Sequence, residues 1–177
     1  MTNLKLVLSG LFLGALMLNS LSAVADQAQK CDLKGNSYGY VYNGTSYSQG
    51  APVPLTETGV FSVDGDNGLT GDGTLALYYS DFFGNGPLWL LVHEVQSNGV
   101  VAPSLDDPCS GTVDVLSTTT VIKTSNANLV PVGVVLFTDS PRSLAYTLSG
   151  KKYEVVDMIS TSPGTIASGT AHKRGGE

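Results

Sequence analysis

Apolar and polar residues trade places with a period of two through Val60-Phe61-Ser62-Val63 and again through Thr74-Leu75-Ala76-Leu77-Tyr78-Tyr79. Between the two runs lies a segment of Gly, Asp, Asn and Thr that contains Asp64-Gly65 and Asn67-Gly68. These dipeptides enter positive φ at low steric cost, as tight hairpin turns require, and period-2 alternation gives each flanking strand one face to bury. The spacing therefore predicts a β-hairpin.

The same grammar recurs along the chain, at residues 38–42, 88–95, 111–116, 118–123, 129–138 and 166–172, and at 143–148 and 152–159 around a Ser149-Gly150 turn. After residue 25 no apolar period of 3.6 lasts longer than a turn or two. Short strands at this spacing, about eight to ten of them, predict an all-β fold: an antiparallel up-and-down β-barrel, with a β-sandwich as the alternative. Consecutive hairpins favour the barrel, because they build an up-and-down sheet whose closure removes exposed edges. A barrel of about eight strands is either packed solid or holds one small ligand. Residues 99–108 read as a loop, as does Pro141-Arg142, and residues 81–87 (DFFGNGP) read as a loop with the character of a lid.

The N-terminus has the form of a secretory signal, with Lys5, an apolar run over residues 6–18, and Ala23-Val24-Ala25 before Asp26. The run is too short for a spanning helix, which needs about 20 apolar residues. The expected organisation is a signal peptide at 1–25 and a single barrel domain at 26–177, secreted or periplasmic, with no membrane span once the signal is removed. Losing Lys5 from nine basic residues leaves eight against fifteen acidic ones, a net charge of −7. Such a surface repels phosphate backbones and excludes nucleic acid as an expected partner. Cys31 and Cys109 form an even pair in an exported domain and are expected to be joined as a structural disulfide.

Chemistry is harder to read than fold. Tyr38, Tyr40 and Tyr42 fall on one strand face, a core or cavity wall in which each ring brings one polar handle. Tyr40, Tyr42, Tyr78, Trp89, His93 and Asp157 are the ligand-pocket candidates. His93 and Glu94 point to opposite faces of their strand, and Asp157 has Arg142 as a candidate partner if it turns inward. Asp64, Asp66, Asn67 and Asp72 crowd one turn without the EF-hand order of ligands, and the two histidines lack zinc-ligand spacing. Neither a metal nor a cofactor is expected, and no G-x-S-x-G elbow marks a serine hydrolase. Residues 88–95 and 129–137 carry apolar side chains on both faces, so a homo-oligomer or a folded-back loop is expected to cover the outer ones.

Four segments carry a family resemblance: Leu33-Lys34-Gly35 with Tyr38-Gly39-Tyr40, then GVFSVDG at 59–65, DPCSGTV at 107–113 and PGTIASG at 163–169. Together they resemble a group of secreted bacterial β-proteins whose pattern is similar to calycin-like barrels of the allene-oxide-cyclase and dirigent type. The matching positions are turns and strands rather than catalytic groups. Three functions stay open: a non-catalytic barrel that binds a small apolar ligand or a protein, a cofactor-free cyclase or isomerase as the resemblance implies, and a structural cell-surface protein.

Overall fold

The computed structural model describes residues 31–47, 51–150 and 152–175. The expected signal at 1–25 and the polar lead at 26–30 lie outside the described residues. The strands are β1 (Asn36–Ser46), β2 (Val53–Val63), β3 (Gly68–Tyr79), β4 (Leu88–Pro103), β5 (Ser110–Thr124), β6 (Val135–Ser149), β7 (Val155–Ser160) and β8 (Thr165–Lys173). Each pairs antiparallel with its neighbour in sequence, and β1 pairs with β8 from Tyr38↔Lys173 to Ser46↔Thr165, closing an up-and-down barrel. No helix among the described residues is long and apolar enough to cross a membrane.

The β2–β3 hairpin forms where the dipeptides place it. Asp64 N donates to Gly68 O at 2.9 Å, and Asp64 Oδ1 accepts from the amides of Asp66 and Gly68 at 2.8 and 2.7 Å. Asn67 takes φ 67°, the left-handed conformation that Asn tolerates best among residues with a side chain. Asp64 is thus committed to the turn.

Three local expectations are corrected. Residues 99–103 are not loop: β4 runs on to Pro103 through a register shift against β5 between Ser97 and Val100, with Asn98 at φ 51°, and only 104–109 connects the strands. A bulge absorbs the extra residues, which a strict period-2 reading takes for the end of the strand. Residues 129–134 are not strand. Leu129 and Val130 turn inward over the barrel end with their amides on Asn126 O, Pro131 offers no donor, and β6 begins only at Val135. Arg142 is not in a loop either, since it lies within β6 opposite Val115.

Two apolar clusters divide the interior. At the end that holds the β2–β3 turn and the 104–109 connection, Leu33, Tyr38, Phe61, Val63, Val113, Tyr146 and Leu148 fill the lumen, with Tyr38 stacked on Phe61 at 5.1 Å. Burial and then the charge of Asp32 push the Tyr38 hydroxyl up to about 12. Cys31 and Cys109 are joined by a disulfide there, 78 residues apart in sequence. Toward the other end, Val53, Leu77, Leu88, Leu90, Val92, Val121 and Val130 form a second cluster, and a cavity lies beside it, bordered by Val53 and Leu77.

Candidate functional site

Strand parity builds the site. Inward positions on β2 run Val53, Leu55, Glu57; on β4, Leu88, Leu90, Val92, Glu94; on β6, Arg142, Leu144, Tyr146, Leu148. In each strand a charge takes a place that the alternation reserves for the core. Glu57 is 0% and Glu94 1% exposed, and both meet Arg142 in the lumen. Arg142 Nη1 lies 3.0 Å from Glu57 Oε2 and donates a short hydrogen bond to Glu94 Oε1.

Register brings in the remaining groups. Tyr40 on β1 pairs with Gly59, Gly59 with Gly73 on β3, Gly73 with Glu94 on β4, and Glu94 with Thr119 on β5. The two glycines clear a path, since a Cβ on Gly59 would stand 2.8 Å from Tyr40 Cε1 and one on Gly73 2.6 Å from the Tyr40 oxygen. Across that gap Tyr40 donates a short hydrogen bond to Glu57 Oε1. Gln96 Nε2 donates to the Tyr40 oxygen at 3.1 Å and lies 3.4 Å from both Glu57 Oε1 and Glu94 Oε1. The Arg142 guanidinium sits 5.7 Å from the centre of the Tyr42 ring, within cation–π range.

The electrostatics follow from one cation facing two buried carboxyl groups. Burial lowers the Arg142 guanidinium, but Glu57 and Glu94 outweigh that and hold it firmly charged. Burial pushes the Glu94 carboxyl up, Arg142 offsets this in part, and the Glu57 charge adds to it. Burial and the adjacent Glu57 drive the Tyr40 hydroxyl far above its ordinary range, so it remains a donor. Glu94 is thereby biased toward its protonated form.

This cluster is the floor between two spaces. On the packed side is a void of about 40 Å³ lined by Tyr40, Tyr42, Phe61, Tyr146 and their neighbours. On the open side is a cavity of about 250 Å³ with apolar walls at Val53, Leu55, Leu75 and Leu77, and hydroxyls at Ser117, Thr119, Ser160 and Ser162. Glu57, Glu94 and Arg142 are the charged side chains that line it among the described residues. Thr119 is 4% exposed, and its hydroxyl has no hydrogen-bond partner among the described residues.

Of the sequence candidates, Tyr40 and Tyr42 lie inside, on the floor and in the smaller void. The other four occupy outward positions and line neither space. Tyr78 is 47% and Trp89 41% exposed, with Lys123 over the Trp89 ring at 5.6 Å. His93 Nε2 meets Asp72 Oδ2 at 2.6 Å on the outer surface, and Asp157 accepts from Ser149 at 2.9 Å rather than meeting Arg142. Sequence reading passed over Glu57 and Gln96, and it named Glu94 and Arg142 without placing them in the pocket. Their signal was a charge continuing an apolar alternation, which the reading of 141–142 as loop and the attention to His93 concealed. No family model and no curated protein matches the chain.

Proposed function

We propose that the protein is an exported, non-catalytic barrel that binds a small molecule with an apolar body in the open half of its lumen. One observation carries the reading: half the barrel is filled with side chains, while the other half keeps a cavity of about 250 Å³ between apolar walls and a charged floor. A fold that needed only stability would gain from filling that space, because unfilled core volume costs packing energy. The size suits a compact ligand, just below the range of about 300–1,000 Å³ common for larger ones. The Cys31–Cys109 disulfide fits an oxidising compartment, and the signal-like segment at 1–25 supports export with a mature chain beginning at Asp26.

Native mass spectrometry of the disulfide-bonded protein tests the reading. Saturable uptake of a short alcohol such as hexanol is expected, and Leu75→Trp, which places an indole in the cavity, should abolish it. A wild-type chain that takes up nothing would sink the proposal. A second reading, the cofactor-free isomerase, draws on Glu94 as an acid group with a raised pKa on the cavity wall. Recovery of a bound natural ligand in unchanged form supports binding, whereas its conversion, lost in Glu94→Gln, supports the isomerase.

A further inference from the structure

Building on the ligand-binding reading, we propose that the occupant is an amphipathic amine: a short hydrocarbon with a protonated primary ammonium at its inner end, seated against Glu94 and Thr119. Charge is the first argument. Glu57 and Glu94 are both buried and share one guanidinium, so the floor carries one surplus negative charge when both are ionised. A charge held away from water must be neutralised by a proton or by a cation. An ammonium does this, an alcohol does not, and a carboxylate adds a second negative charge.

Hydrogen bonding is the second argument. The hydrogen bonds that Arg142 and Gln96 donate to Glu94 both fall on Oε1, and Glu57 Oε2 is buried with no hydrogen-bond partner among the described residues, 3.0 Å from Arg142 Nη1. Thr119 stands directly across from Glu94 on β5, lines the same cavity, and has a buried hydroxyl without a partner among the described residues. The Ser117 hydroxyl donates to Ser140 O and keeps its lone pairs. These are acceptors grouped on one side of the floor, and an ammonium is three donors with no acceptor. The walls at Val53, Leu75 and Leu77 take the hydrocarbon.

Proton linkage follows. The titratable and charged groups facing Glu94 are Tyr40 from β1, Glu57 from β2 and Arg142 from β6; β3 presents Gly73 and β5 presents Thr119. Without the amine, burial favours a proton on Glu94. The arriving ammonium displaces that proton to the buffer and keeps its own. Affinity therefore rises with pH through the Glu94 titration and levels off above it.

Calorimetry of the full disulfide-bonded protein with hexylammonium, hexanol and hexanoate tests this, repeated in buffers of differing ionisation enthalpy. We expect hexylammonium to bind at least tenfold more tightly than the other two above the Glu94 titration, and to release a proton on binding below it. Thr119→Val should weaken hexylammonium several-fold, and the variant should fold at least as well as wild type because it removes an unpartnered buried hydroxyl. Glu94→Gln should erase both the preference and the proton release. Equal or tighter binding of hexanol or hexanoate overturns the amine and leaves the ligand-binding reading standing. Failure of all three probes to bind overturns both.

Discussion

Glu94 and Arg142 set the stability of the lumen residue by residue. Because the Glu94 carboxyl is raised above its ordinary 4.5, the folded chain holds more protons than the unfolded one in the window above that value. Stability should then fall as pH rises through the window, and Glu94→Gln should remove this part of the slope. Urea midpoints of the two proteins across pH check it, and parallel profiles would contradict it. Arg142→Met leaves two buried carboxyl groups facing each other without their cation. It should cost about 3–5 kcal/mol at neutral pH, and less in acid where Glu94 is protonated. At this scale the sequence already held the answer. Val53-x-Leu55-x-Glu57 and Leu90-x-Val92-x-Glu94 put carboxyls in core register, and only their convergence on Arg142 needed three dimensions.

Among the elements, the β2–β3 pair positions the site by what it omits. Gly59 and Gly73 face each other across the pair, and the Tyr40 ring passes over them to reach Glu57. A methyl on Gly73 would displace the Tyr40 hydroxyl, whereas one on Gly59 would stand 2.4 Å from Asp72 O in the backbone itself. Each Gly→Ala change should cost about 1–3 kcal/mol as overpacking. The Gly73→Ala cost should shrink in a Tyr40→Phe background while the Gly59→Ala cost persists, as thermal unfolding of the double-mutant cycles would reveal. Equal coupling of both glycines to Tyr40 would contradict this. The hairpin turn was legible because Asp64-Gly65 and Asn67-Gly68 act locally. The continuation of β4 past Asn98 was not, because a bulge leaves no periodic trace and depends on the partner strand for its register.

For the molecule as a whole, one end is fastened and the other is open. The disulfide lies at the packed end, where closing 78 residues contributes about 4 kcal/mol by the chain-entropy model. Removing it through Cys31→Ala and Cys109→Ala should lower the unfolding midpoint while leaving affinity in the distant cavity unchanged. Trp89, Val95 and Val135 are exposed, whereas Phe137 borders the open cavity; self-association through the outer face is a proposal that rests on the sequence alternation. The 81–87 loop does not cover that face: Phe82 packs against Tyr79 at 5.2 Å while Phe83 is 72% exposed. Sedimentation should show a mass that falls on dilution, and a constant monomer would refute it. Fold class was readable from turns and alternation, which are local. The division of the lumen was not, because it depends on which strands meet around the closed sheet. The most direct test of that division is a methyl NMR titration of the wild-type protein with the tightest of the three hexyl probes. The account predicts shifts at Val53, Leu75, Leu77 and Thr119 with Val63, Val113 and Leu148 silent; shifts confined to the packed end or to the outer face around Val95 would contradict it.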